Sequence, residues 1–195
     1  MSKNLDVYLS YSSPFAYLAQ TQIRALAERT QCQINYYVID LRNLWEITGN
    51  PGPTNVPAKL KYLGKDIGDW CKHYGVPLNL PSRLPIDSRP ASGASIGAQK
   101  AGKLPEFVDR VMYAYFVEDQ DIAAPQVLSQ LAAEIGLDGH TIAAVATDPI
   151  ILKEVDKLTE EAASRGVFGV PTFFIGNDMY WGSDRLMFVE AALKS

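Results

Sequence analysis

A chain of 195 residues with 47% hydrophobic and 21% charged residues can build one large domain, or a small domain with a second inserted into it, and leaves no room for a long disordered tail. Its formal net charge of −4, with no basic stripe, works against nucleic acid and anionic membrane surfaces as partners. No apolar run of about 18 residues spans a bilayer, and MSKNLDVYLSY lacks the continuous apolar stretch of a signal peptide, so a cytoplasmic location is expected. Cys32 and Cys71 stand too far apart for a C-x-x-C pair or a zinc framework; they are read as reduced, part-buried thiols, and no metal site is expected.

In chain order, Leu5-Asp6-Val7-Tyr8-Leu9 alternates as a half-buried strand, and Phe15, Leu18, Ile23 and Leu26 fall at helical spacing, predicting a helix to about Arg29. Ile34 to Ile39 reads as a second strand, which makes a βαβ unit with parallel strands and a right-handed crossover. The segment GNPGPTN, Gly49 to Asn55, breaks regular structure, and from there to about Gly166 the periodicity is helical. One face carries Leu60, Leu63, Ile67, Trp70 and Tyr74, another Phe107, Val111, Met112, Tyr115 and Phe116; Val127 to Ile135 and Ile151 to Ala162 supply two more. Pro125 and Asp148-Pro149 read as helix starts, Gly136 and Gly166 as stops. The proline-rich stretch from Val76 to Ser95 is too long for an idle connector.

The chain returns to β character at Thr172 to Ile175, with Gly176-Asn177-Asp178 as a tight turn and Met179 to Trp181 as the hairpin partner. Gly182 or Ser183 then caps a terminal helix with Asp184 in its first turn. The order βαβ, helices, ββα is that of an α/β, thioredoxin-like fold with an inserted all-helical domain. The expected boundaries are 1–48 and 166–195 for the discontinuous thioredoxin-like domain and 49–165 for the insertion.

Two junctions stand out. Ser13-Pro14 is an N-cap and first-turn proline, which explains both residues structurally; the same turn also sets a hydroxyl beside the unpaired amides of a helix start, where an anion such as a thiolate is favoured. Val170-Pro171 precedes the third strand either as a plain edge proline or as a cis bond that turns the Val170 backbone toward the first junction. An extended peptide could pair with that backbone as an added strand.

The motifs SPFAYL, GPTN and GVFGVPTFFIGNDMYWGSDRL together resemble the 2-hydroxychromene-2-carboxylate isomerase family, relatives of kappa-class glutathione transferases and DsbA-like oxidoreductases. The resemblance implies a glutathione-dependent, homodimeric isomerase acting on an aromatic ring-cleavage product in aromatic catabolism. It implies that Ser13 lies against the glutathione sulfur, that Val170 and Pro171 pair with the tripeptide backbone, and that Trp181, Gly182, Ser183 and Asp184 hold its γ-glutamyl end. By the same resemblance Asn55 approaches the substrate, with Trp45 and Val56 beside it. Family members from naphthalene pathways carry basic residues where this chain has Trp45 and Val56, so the substrate carboxylate loses two partners; Lys59, Arg83 or Arg89 could replace them. His73 and His140 lack companions at motif spacing and are read as structural. The rival readings are a kappa-like transferase or peroxidase that consumes the thiol, and a thioredoxin-fold binding module without chemistry.

Overall fold

The structure, a computed structural model, describes residues 3–195. β1 (Asn4–Leu9), α1 (Pro14–Thr30) and β2 (Gln33–Val38) form the βαβ unit, with β1 and β2 parallel. β3 (Thr172–Ile175) pairs antiparallel with β1, and β4 (Asp178–Trp181) antiparallel with β3, giving the sheet order β2-β1-β3-β4. Apolar side chains on the two central strands drive this assembly: Val7 and Phe173 are cross-strand partners and both are fully buried. This is the mixed sheet of the thioredoxin-like fold predicted from the element order.

Between β2 and β3 run α2 (Leu41–Thr48), a short 3-10 turn (Pro53–Asn55), α3 (Pro57–Tyr74), α4 (Arg89–Lys100), α5 (Leu104–Phe116), α6 (Pro125–Glu134), α7 (Gly139–Ala146) and α8 (Pro149–Ser164). α9 (Leu186–Lys194) ends the chain. The strongest predicted periodicity is realised in α5, where Phe107, Val111, Met112, Tyr115 and Phe116 are all buried. Pro125 and Pro149 each open a helix, and Gly136 and Gly166 follow helices at positive φ, where a side chain would be strained.

Five local features differ from the sequence reading, the first being that the proline-rich stretch read as running to Ser95 ends at Ser88, because Pro90 sits in the first turn of α4, which starts at Arg89. α2 is a helix in a stretch to which the sequence reading assigned no element: Asp40 caps it by accepting from the N–H groups of Arg42 and Asn43, yet eight residues are too few to display more than Leu41 and Leu44 as a buried face. On α3 only Ile67 of the expected apolar face is buried and Leu60 stays 51% exposed, because the helix lies at the surface with α1 as its main support. The hairpin turn is Gly176-Asn177 alone, Asp178 already belonging to β4. Neither Gly182 nor Ser183 caps the last helix; Ser183–Arg185 is a 3-10 turn and α9 starts at Leu186. The reason is local, since Gly182 sits at φ 105° and its N–H ties back to the Pro171 carbonyl at 2.9 Å, which redirects the chain before the helix begins.

The proline-rich connector is fastened rather than loose. Asn79 N–H donates to Phe116 O at 2.7 Å, Ser82 N–H to Asp119 Oδ1 at 2.8 Å, and Tyr115 Oη–H to Arg83 O at 2.9 Å. At the opposite end of the molecule Glu190 joins α9 to α1, with Arg29 Nη2 2.8 Å and Lys194 Nζ 2.6 Å from its carboxylate. The hydrogen bonds from Arg29 and then Lys194 hold this carboxyl down at about 2. A group depressed in the folded state stabilises above its unfolded pKa, so this tie is intact above pH 4.5 and is lost as pH falls toward 2. Exposure limits its worth to less than about 1 kcal/mol. Thermal melting of Glu190→Gln should therefore lie slightly below the parent at pH 7, and the two curves should converge in acid.

Candidate active site

Ser13 terminates the β1–α1 turn in an extended conformation and is only 5% exposed. Its Oγ accepts from the Ala16 N–H at 3.2 Å as the N-cap, and its O–H donates to the Val170 carbonyl at 3.4 Å. The capping role and the placement toward a second backbone segment therefore hold together. The Val170–Pro171 bond is cis. Among the described residues the Val170 N–H donates to no backbone or side-chain acceptor, so this segment offers one free donor next to the Ser13 hydroxyl.

Flanking bonds fix the segment. Thr172 Oγ1 donates to Gly169 O at 2.7 Å, Asn50 Nδ2 donates to Phe168 O at 2.8 Å, and the Pro171 carbonyl takes the Gly182 N–H. Trp181 leans on Phe168 with ring centroids 4.8 Å apart and passes so close to Gly169 that a Cβ there would lie 2.9 Å from its Nε1. Ser13, Val170, Pro171, Trp181 and Gly182 are thus one connected cluster, although Ser13 and Val170 are 157 positions apart in the chain.

Ser183 is buried, and its carbonyl accepts from Tyr74 Oη–H at 3.4 Å, which brings α3 against the turn. Asp184 bonds Arg185 and projects its charge onto α3: the Asp66 carboxyl is raised by burial and then by Asp184, and the Tyr74 hydroxyl is raised by burial and then by Asp184. Asp184 is itself ion-paired with Arg185, so its charge at this junction is partly compensated. Asp66, Tyr74 and Asn50 are the residues that sequence reasoning missed; Asp66 and Tyr74 lie on a helix read only for its apolar face, and Asn50 sits in a segment read only as a chain breaker.

The residues assigned to the substrate side form a neighbouring unit. Trp45 is half-buried on α2 and covers Gly52 so closely that a Cβ there would meet its ring carbons at 2.8 Å. Asn55 donates from Nδ2 to Pro51 O at 2.5 Å and closes the GPTN turn, and Val56 is half-buried beside it. No hydrogen bond among the described residues joins Trp45, Asn55 or Val56 to Ser13; the link between the two units is Asn50 on Phe168. Of the three candidate cations, Arg83 is paired with Asp121 and Arg89 with Asp156 and Asp40, whereas exposed Lys59 has no ion-pair partner among the described residues. His73 is exposed and edge-on to Trp70, and His140 is exposed at the start of α7.

Residues 4–194 match the family described as DSBA-like thioredoxin domain. The chain is 33% identical over 195 residues to a 2-hydroxychromene-2-carboxylate isomerase of Sphingobium xenophagum, covering 99% of each protein. It is 31% identical to one of Pseudomonas putida, covering 97% of this chain and 93% of the relative. Among solved structures it is similar to a 2-hydroxychromene-2-carboxylate isomerase in selenomethionine form, with a TM-score of 0.88 at 30% identity over 97% and 94% of the two chains. A probable DsbA oxidoreductase from Streptomyces coelicolor shares the fold, with a TM-score of 0.79 at 20% identity over 98% and 88%.

Proposed function

The chain belongs to the DsbA-like thioredoxin family and, within it, to the 2-hydroxychromene-2-carboxylate isomerases, and from that membership we propose a glutathione-dependent cis–trans isomerase of an aromatic ring-cleavage product such as 2-hydroxychromene-2-carboxylate. The observation that carries the proposal is the juxtaposition of a buried helix-capping hydroxyl, Ser13, with the Val170 backbone at the start of β3. A homodimer in the cytoplasm is part of the same proposal.

The residues present fit the tripeptide. The unpartnered Val170 N–H and its carbonyl match the donor and acceptor of an extended peptide, and the carboxylates of Asp66 and Asp184 match its α-ammonium. Trp181 packs on Phe168 and Gly169 just before Val170, and Gly182 lies against Asp184. Glutathione, when bound, supplies a thiolate able to add reversibly to a conjugated α-keto acid, so that the former double bond can rotate.

This chain's own contribution is electrostatic. The first amides of α1 and the positive end of its dipole favour an anion at the Ser13 turn, and the Ser13 hydroxyl is a donor beside it. With serine at position 13 and alanine at position 16, the turn has no pair of thiols, so it does not itself form a disulfide. Trp45 and Val56 give the substrate unit an apolar wall, and Lys59 is the uncommitted cation available to an anionic substrate group.

Calorimetric titration with glutathione, followed by conversion of 2-hydroxychromene-2-carboxylate with total free thiol monitored, tests the proposal. Binding with constant thiol and an isomerised product is the expected result. Steady loss of thiol would establish a transferase instead, and absence of binding heat together with absence of turnover would leave a binding module.

A further inference from the structure

The first residues of α4 touch both halves of the site. Ser88 is buried, with its Oγ 3.5 Å from the Oγ of fully buried Ser10, which in turn lies 3.2 Å from Ser12 Oγ in the turn that ends at Ser13. The next residue, Arg89, points the other way. Its Nη2 lies 2.9 Å from Asp156 Oδ1 and 3.1 Å from Oδ2 on α8, and its Nε lies 3.9 Å from Asp40 Oδ2.

Asp40 is the group that makes α2 a helix. It is 7% exposed; Oδ1 accepts from the N–H groups of Arg42 at 3.0 Å and Asn43 at 3.4 Å, and its own N–H donates to Thr159 Oγ1 at 3.1 Å on α8. A helix of eight residues does not persist on propensity alone and depends on its cap and its packing. The carboxylate that caps α2 is largely withdrawn from water, and Arg89 is the cation that faces it from α4. Arg89, flanked by two carboxylates, is neutralised and therefore a poor anchor for a substrate anion.

We propose that Arg89 is a positioning residue: from an α4 start anchored by Ser88 to the Ser10–Ser13 turn, it holds Asp40 and hence the angle at which α2 presents Trp45. Through it the helical region between β2 and β3 sets the distance between the Ser13 side and the Trp45 side of the site. The catalytic consequence rests on the isomerase reading above; the structural consequence does not.

The test compares Arg89→Met and Arg89→Lys with the parent. Hydrogen exchange of the protein without ligands should show α2 amides exchanging about two- to fivefold faster in Arg89→Met, the scale expected for a lost part-exposed ion pair. β1 and α5 should be unchanged, and Arg89→Lys should restore most of the protection. In turnover, the KM for the isomerised substrate should rise about two- to fivefold with kcat unchanged, glutathione affinity should not move, and the KM effect should vanish in a Trp45→Ala background. Faster exchange everywhere would reduce Arg89 to a general stabiliser, and unchanged α2 exchange with a raised KM would make it a substrate ligand; either result overturns the proposal. If the parent shows no isomerase activity, the functional reading fails and the exchange pattern alone decides.

Discussion

Ser13→Ala is expected to lower isomerase turnover by about 10- to 100-fold, the loss that follows from removing one hydrogen bond to an anion. The pattern with pH is more diagnostic than the size. If the hydroxyl and the α1 start favour the thiolate, the rate climbs with pH through the pKa of the bound thiol, and removing the donor moves that limb upward. The deficit should then be largest at low pH and shrink as pH rises. Because Ser13 also caps α1 through the Ala16 N–H, Ser13→Ala carries a stability cost of about 0.5–2 kcal/mol, whereas Ser13→Gly removes the hydroxyl at a cost of only a few tenths. Ser13→Gly should lose the same rate while keeping most of the melting temperature. A normal rate with the pH limb in place for both variants would remove the hydroxyl from the mechanism.

Gly182→Ala is expected to damage both stability and glutathione affinity. At φ 105° and ψ 149° the backbone occupies a region open almost only to glycine, and a Cβ there would lie 2.5 Å from Asp184 Oδ1. The strain is about 1–3 kcal/mol, which lowers the melting temperature by roughly 2–12 °C in a protein of this size. The Asp184 carboxylate must also move, and under the proposed function that displaces the partner of the tripeptide's ammonium. The check is the melting temperature together with glutathione titration. A variant that melts several degrees early yet binds glutathione as tightly as the parent would show that Asp184 does not serve the ligand.

The two variants act on one arrangement from opposite ends. Ser13 is a hydroxyl placed by a local rule, serine before proline at the start of a helix, and the proposed chemical role falls on the same atom that caps the helix. Gly182 is a turn whose N–H is bonded to the carbonyl of Pro171 and whose side-chain space is filled by Asp184. Between them lies the Val170 backbone, which touches the first residue directly and the second through one peptide unit. Loss at either end is therefore expected to appear in glutathione-dependent properties, whereas loss at Arg89 is expected to appear in the substrate's KM.

The βαβ opening, the long helical stretch and the closing hairpin were legible because each is written in a window of a few residues: alternation for Leu5 to Leu9, a 3.6-residue period for Phe107 to Phe116, Gly176-Asn177 for the turn. Ser13 and Pro171 were legible for the same reason, as junction residues beside elements that could be read. α2 was not, since its cap works through one aspartate and its buried face holds two leucines. The apolar face assigned to α3 was overread, because periodicity records that a face exists and not whether another element covers it; Leu60 faces outward.

By itself, then, the amino-acid order determined most of the secondary elements, the thioredoxin-like order in which they follow one another, and the chemical type of the junction residues, since all of these follow from steric and hydrophobic preferences felt between near neighbours. Only the tertiary structure decided which partners meet: the Ser13 hydroxyl with the Val170 carbonyl rather than another group of that segment, Tyr74 with the Ser183 carbonyl, and Arg83 and Arg89 with carboxylates that neutralise them. Such meetings depend on how the whole chain closes on its core, and Coulombic and hydrogen-bonding partners dozens to more than a hundred residues apart leave no periodic trace in the sequence that joins them.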